Sequence, residues 1–395
     1  SYRRPMNIIN TEKGLISVVK KGISAGAVAL DTEFVWEKTY YPILGLIQVG
    51  YPDGSVDLID GVTIKDFSAL GELLSDPNTT KILHDAVQDL VILTRISKAF
   101  PRNIFDTQRS AGFIGLSSTI SLSELLKKVL SIRIEKSETK SDWVARPLSE
   151  SQIEYAKEDV CYGVDLMNAI LKKSDDLNYK KWVLQEMQMY ENEALYIEKD
   201  PLEISPKVKN SGSLNFKQKI LLRSIFIWRE ISARKQNLPR TFVLPDEVII
   251  KIVKSPPKSM EELKTMNLGR RFLRKFSGSL WEAIDRGLHE KIAPLENGFS
   301  NFEKEDALEA QVDLALAFIK GLSLNTKIDS SLIANRAKIT SFVYANSQNE
   351  ASLEDHPLSQ DWRNEFCGEH LSKLLKGEGI IRVDTKSKIP SFYEE

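Results

Sequence analysis

The tetrapeptide Asp31-Thr32-Glu33-Phe34 stands directly behind the apolar run Ala27-Val28-Ala29-Leu30. Such a run ending in carboxylates reads as a buried strand, and in a strand residues two apart point to the same face. Asp31 and Glu33 are therefore expected to project together from the strand's end. Two carboxylates placed side by side repel each other and take up protons more readily, unless a cation sits between them. Oxygen-only ligation favours a hard ion such as Mg²⁺ or Mn²⁺. A solitary acidic pair also fits a solvated strand end or a helix cap, so its company elsewhere in the chain has to decide.

That company consists of two more isolated carboxylates in helical settings. Lys81-Ile82-Leu83-His84 reads as a short strand and Asp85 to Leu93 as the helix that follows, with Asp85 as its cap. In the helical period Val87, Leu90, Val91 and Leu93 form the expected buried stripe, which leaves Asp89 at the exposed edge, one turn after Asp85. Further on, Ser149-Glu150-Ser151-Gln152 has the form of a capping box, opening a helix through Ile153, Tyr155, Ala156, Asp159, Val160 and Leu166. Tyr155 and Asp159 are four apart and share a face, where a phenol and a carboxylate can act on one small volume. Taken singly, each such pair also fits a half-buried Tyr beside a surface Asp.

Together, an Asp-x-Glu on a first strand, an Asp in a second motif and Tyr-x-x-x-Asp in a third resemble the tyrosine variant of the DEDD exonuclease superfamily. Within it the chain resembles the ribonuclease D family. The stretches LDTEFVWEKTYYPILGLIQVG (30–50), KILHDAVQDL (81–90), FDTQRSAGF (105–113) and EKSETKSDWVARPLSESQIEYAKEDV (135–160) match that family's motif neighbourhoods in order and spacing. The resemblance implies that Asp31, Glu33, Asp89 and Asp159 hold two divalent cations, Mg²⁺ or Mn²⁺, and that Tyr155 orients the attacking water. The related histidine variant carries a His five residues before the last Asp; Glu154 occupies that position here. Asp85 is read as a cap or a supporting group. The chemistry suits the set, since two metals can activate a water on one side of a phosphodiester and stabilise the leaving 3′ oxygen on the other.

Five residues around these motifs are candidate substrate contacts: Phe34, Gln48, His84, Trp143 and Arg146. Phe34 is open to two readings, a wedge against the terminal base or a core residue. Arg146 is open to a phosphate contact or a structural salt bridge. Competing chemistries have little support. His84, His289, His356 and His370 have no zinc-like spacing, and Cys161 and Cys367 form no C-x-x-C pair. No G-x-x-x-x-G-K-[ST] sequence occurs.

With 395 residues the chain has room for more than one domain. Up to about Leu177 it alternates between strands (28–35, 43–49, 56–59 and 82–84) and helices, and from about Lys180 the pattern is helical. Asp200-Pro201 to Gly212 reads as a linker. The expected fold is an α/β ribonuclease H-like exonuclease domain over 1–205, a mixed sheet flanked by helices, followed by two all-α HRDC-type domains over 210–292 and 300–385. Ser1 to Pro5 read as a lead outside the fold, and no signal-peptide or membrane-spanning pattern is read in the chain. The two cysteines suit a reducing cytoplasm.

Charge divides the chain. Residues 210–290 carry sixteen Lys or Arg against eight Asp or Glu, although the whole chain is at −1. This segment, with the cluster Arg270, Arg271, Arg274 and Lys275, resembles the helical HRDC domain, which implies an accessory RNA-binding surface. Trp228 and Phe242, among apolar neighbours, are expected as core anchors rather than stacking platforms. Residues 300–380 read as a degenerate second copy with more acid than base, expected to pack against the rest and close a ring. The family resemblance implies a 3′–5′ exoribonuclease that trims transfer RNA precursors and other structured RNAs with 3′ extensions. The chain is expected to act as a monomer, with no obligate protein partner and no membrane. A DNA exonuclease of the proofreading or Werner type, or an inactive RNA-binding scaffold, are the alternatives.

Overall fold

The apolar run ahead of Asp31 forms strand β1 (Ala27–Val35), in which Val28, Ala29 and Leu30 are buried. β1 is the middle strand of a five-stranded sheet of order β3-β2-β1-β4-β5, completed by β2 (Ile43–Gly50), β3 (Val56–Asp60), β4 (Thr80–Leu83) and β5 (Ile104–Asp106). β2 and β3 pair antiparallel, with Gln48 opposite Leu58, whereas β4 pairs parallel with both β1 and β5. The sheet is therefore mixed, as expected. An inner strand covered on both faces is apolar on both, which is why 27–30 shows no alternation. The computed structural model describes residues 8–135, 138, 140–291, 306–348 and 353–394; the expected lead Ser1–Pro5 lies outside them.

Helices α1 (Glu12–Ala25), α2 (Leu70–Ser75), α3 (Ala86–Ser97), α4 (Thr107–Ala111), α5 (Leu122–Leu130), α6 (Glu150–Cys161), α7 (Gly163–Asp176) and α8 (Lys180–Met187) accompany the sheet. The capping box at the start of α6 is present in both halves, Ser149 accepting from Gln152 N–H and Gln152 from Ser149 N–H. The helix does not run on to Leu166; it breaks at Tyr162, and α7 restarts at Gly163. A Cβ at Gly163 would lie 2.4 Å from Ala29 Cβ, so the missing side chain lets α7 close directly onto β1.

Two expectations for α3 are corrected. Val87 and Val91 are each 37% exposed, and the buried face is Ala86, Asp89, Leu90, Ile92 and Leu93. Asp89 therefore points inward, away from the exposed edge where the stripe reading placed it. Asp85 occupies the N-cap position but makes no side-chain capping bond, because its backbone is left-handed, with φ of 60°. Its task falls to Asp106, whose carboxylate accepts from Asp85 N at 3.2 Å and Ala86 N at 2.9 Å.

The chain divides into two compact units. One comprises residues 1–34, 44–196 and 302–395, the other 35–43 and 197–301. This differs from the three-part division read from the sequence, because the C-terminal stretch shares its core with the sheet-bearing part. Phe318, Phe342 and Trp362 belong to the same buried cluster as Leu15, Ile47 and Leu90, and Trp362 packs edge-on to Phe113 at 5.0 Å between ring centroids. Helices α14 (Asp306–Thr326), α15 (Ser330–Ile333) and α16 (Arg336–Gln348) lie in this stretch, which ends in a hairpin of β6 (Gly379–Val383) and β7 (Pro390–Glu394) that the helical reading did not contain.

The second unit holds α9 (Phe216–Gln236), α10 (Arg240–Val243), α11 (Asp246–Lys254), α12 (Met260–Thr265) and α13 (Arg270–His289). Their core contains Leu221, Ile225, Trp228, Ile249, Leu280 and Ile284. Trp228 is buried and donates from Nε1 to Ser279 Oγ at 2.9 Å. Phe242 is not a core anchor; it is 61% exposed, since the single turn of α10 turns Val243 and Leu244 inward instead. Among the described residues, no helix is long and apolar enough to cross a membrane.

Candidate metal and catalytic site

β1 delivers Asp31 and Glu33, and α6 delivers Asp159; one carboxylate oxygen from each lies within 4.8 Å of the others. On β2, Gln48 donates its Nε2 to both Asp31 Oδ2 and Glu33 Oε1, at 3.3 Å each. Asp89 comes from α3 and lies outside this trio. Its carboxylate accepts the hydroxyl of Thr32, the residue between the strand carboxylates, and its charge reaches Asp31. Tyr155, one helical turn before Asp159, lies beside it and interacts with its carboxylate.

The electrostatics are those of an anion cluster to which, among the described residues, no cationic side chain is bonded. Burial, then the charges of Asp89, Asp159 and Glu33, push Asp31 well above the usual carboxylate range. Burial, then the charge of Asp159, raises Glu33 to about 8. Asp89 and Asp159 rise to about 7, mainly through burial, against hydrogen bonds from Thr32 and Tyr155 respectively. Burial and the three neighbouring carboxylates likewise push the Tyr155 phenol upward, so it stays protonated. Oxygens of Asp31 and Asp159 lie within 4.8 Å of each other, close enough for a proton held between them to relieve their repulsion. A divalent cation can take that proton's place. The donor set of carboxylate oxygens on rigid elements fits a hard divalent ion.

The candidate substrate contacts separate on inspection. Phe34 is half-buried against the core. Gln48 has no exposed surface. His84 has its Nδ1 at 2.9 Å from Thr107 Oγ1 and its Nε2 at 2.9 Å from the Ile120 carbonyl, and so ties the end of β4 to the segment before α5. Trp143 is 2% exposed and lies behind Tyr155, with ring centroids 5.9 Å apart. Arg146 takes the structural alternative: NH2 bonds Asp60 Oδ1 and the Gly45 carbonyl, both at 2.7 Å, and NH1 bonds the Trp143 carbonyl at 2.8 Å. In the second unit Arg270, Arg271, Arg274 and Lys275 are all exposed on α13.

Two contributors were missed by the sequence reading. Thr32 holds Asp89, and a hydroxyl residue inside an Asp-x-Glu pair was a visible, if slight, signal. Asp106 caps both α3 and α4: beyond Asp85 and Ala86 it accepts from Gln108 N at 2.9 Å, Arg109 N at 3.2 Å and Tyr190 Oη at 2.6 Å. It thereby fixes the start of the helix that carries Asp89.

Comparison with known proteins gives a consistent picture. The 3′–5′ exonuclease family matches residues 6–175 and the HRDC domain family matches 218–284. Ribonuclease D of Desulfotalea psychrophila is 37% identical over 365 residues, covering 91% of this chain and 96% of that protein. Ribonuclease D of Escherichia coli is 28% identical over 372 residues, covering 93% and 98%. The crystal structure of the E. coli enzyme, described as an exoribonuclease involved in structured RNA processing, superimposes with a TM-score of 0.79 over 94% of this chain and 99% of that one.

Proposed function

The chain belongs to the ribonuclease D family, and from that premise we propose that it trims the 3′ ends of structured RNAs, transfer RNA precursors among them, releasing 5′-mononucleotides. It is a hydrolytic 3′–5′ exoribonuclease. The observation that carries this reading is the meeting of Asp31, Glu33 and Asp159 oxygens from two separate elements, with Asp89 close enough to repel them. Asp31, Glu33, Asp89 and Asp159 are the residues that would hold two divalent cations, Mg²⁺ or Mn²⁺. When bound, such ions supply an acidified water and a counter-charge for the leaving 3′ oxygen.

The protein's own share is positioning. Tyr155 is too weak an acid to be the base, because burial and its anionic neighbours keep the phenol protonated. Its place one helical turn from Asp159 sets the hydroxyl beside the carboxylates, where it can orient a water for in-line attack. Phe34, directly after Glu33, forms part of the wall. Arg270, Arg271, Arg274 and Lys275 supply sequence-independent phosphate contacts, and a groove that admits a single frayed strand halts at a folded stem. Free Cys161 and Cys367 suit a cytoplasmic monomer.

The test is a time course on a 5′-labelled transfer RNA with a 3′ extension, beside single-stranded DNA of matched sequence, with Mg²⁺, Mn²⁺ or chelator. Metal-dependent laddering from the RNA 3′ end that stops at the acceptor stem is the expected result. Faster cleavage of the DNA overturns the RNA assignment, and binding without cleavage under either metal overturns the enzymatic one.

A further inference from the structure

Gln48 was a candidate substrate contact, but a side chain with no exposed surface cannot touch RNA. Its amide is committed elsewhere: one nitrogen is shared between Asp31 Oδ2 and Glu33 Oε1, at 3.3 Å from each. We propose that Gln48 is a positioning residue, which holds the Asp31 and Glu33 carboxylates side by side for a divalent cation and so sets metal affinity rather than RNA affinity. The proposal rests on the exoribonuclease reading above.

Four considerations support it. The amide orientation is enforced, because the reverse would press the Gln48 carbonyl against two carboxylate oxygens. The carbonyl Oε1 is left buried and without a hydrogen-bond partner, a cost a folded chain keeps only against a gain elsewhere. That gain lies at the carboxylates, where a donor straddling the pair draws together two groups that otherwise splay apart. The chemistry of the donor matters as much. A neutral amide aligns the carboxylates and leaves their charge for an incoming ion, whereas Lys or Arg in its place would neutralise them and compete with the metal. Gln48 is also well placed to be rigid. It faces the same way along β2 as Leu46, two residues earlier, which packs with Trp143 and Ala156 and, through them, Tyr155.

The experiment compares the full-length wild type with Gln48→Met, which keeps the volume and loses both donors, and with Gln48→Asn, whose amide is one methylene too short to reach both carboxylates. Mn²⁺ binding is measured by titration calorimetry without RNA, and KM and kcat on a 3′-tailed RNA are measured across a Mn²⁺ series. Both variants are expected to weaken Mn²⁺ binding by roughly 10-fold or more, as for other groups that orient metal ligands. The Mn²⁺ needed for half-maximal rate should rise in parallel, while KM for RNA at saturating Mn²⁺ and the melting temperature in chelator hold. Unchanged Mn²⁺ affinity, or a raised RNA KM at unchanged Mn²⁺ affinity, overturns the proposal. Should Gln48→Met lose its fold in chelator, Gln48→Asn decides on the same criteria. A wild type that binds Mn²⁺ and cleaves no RNA defeats the exoribonuclease reading while the Mn²⁺ titration still judges Gln48; a wild type that binds no Mn²⁺ defeats both.

Discussion

Two carboxylates in the same unit, the half-buried Glu33 and the buried Glu186, have opposite surroundings. Glu186 on α8 is 3% exposed and accepts from Arg109 Nε at 2.7 Å, from Arg363 NH1 and NH2 at 2.8 and 2.9 Å, and from Trp362 Nε1 at 2.6 Å. Burial alone would raise its pKa, but the Arg363 bonds and the charges of Arg363 and Arg109 overcome it and hold Glu186 below the usual range. Glu33 has one neutral amide donor and the carboxylates of Asp31, Asp159 and Asp89 around it, and it goes the other way, to about 8. A carboxylate given its own cations is an anchor, here joining α8 to the C-terminal stretch. A cluster deprived of them is a place built to receive cations from solution.

The contrast can be broken at several points. Asp31→Asn should lower kcat by on the order of 10³-fold or more at saturating metal, since it removes charge from the reacting centre, with circular dichroism unchanged; near-wild-type turnover would remove Asp31 from the site. Glu186→Gln strands two arginines and should cost about 3–5 kcal/mol of unfolding free energy in urea titration, while activity per folded molecule persists. If that variant instead loses activity at full stability, the anchor reading fails. Tyr155→Phe should slow kcat by roughly 10- to 100-fold through a misplaced water and leave Mn²⁺ affinity intact; weakened Mn²⁺ binding would make Tyr155 part of the ligand shell instead.

The pH dependence separates the two regions without mutation. Glu33 at about 8, and Asp89 and Asp159 at about 7, stand above their ordinary values near 4. Between those limits the folded chain binds more protons than the unfolded one, so stability falls as pH rises. In chelator the melting temperature should therefore drop from pH 5 to 8, and saturating Mn²⁺ should remove most of that slope. Glu186, with its lowered pKa, contributes stability above the ordinary glutamate range that is lost as pH falls through its folded value. A chelated protein with a flat profile from pH 5 to 8 would contradict the burial and mutual repulsion assigned to the cluster. The smallest effect is expected at the surface of the second unit: Phe242→Ser should change stability by no more than about 0.5 kcal/mol, measured beside Trp228→Ala, which removes a core side chain at about 3–5 kcal/mol.

Much of the fold was legible because it follows from local rules. Strands β1 to β3, the capping box of α6 and the helical character from about residue 180 as far as the C-terminal hairpin came from period, caps and composition, and each was found close to where it was expected; the hairpin of β6 and β7 was not read. The errors occurred where a local pattern admits two answers. The α3 sequence carries apolar residues on more than one flank, so its period alone could not tell whether Val87 and Val91 or Ala86 and Asp89 turn inward. Helix α10 is a single turn, too short to show a period, and Phe242 was assigned to the wrong side. Arg146 was open between phosphate and salt bridge until Asp60, at the end of β3, was found beneath it.

What the sequence determined by itself was the inventory and its order: an acidic pair at the end of a buried strand, an Asp on a following helix, and a Tyr and Asp one turn apart on a capped helix. Those are statements about neighbours in the chain, set by the two-residue and 3.6-residue periods. Only the tertiary structure decided which of these carboxylates would go without a partner. Glu186 and Glu33 are the same residue type, both buried or nearly so, and nothing adjacent to either in the chain distinguishes them. The difference lies in residues remote in sequence, Arg109 and Arg363 for one and Gln48 and Asp159 for the other. The charge state of a buried group is set by what folding brings within a few ångströms of it, through desolvation and the charges it meets there.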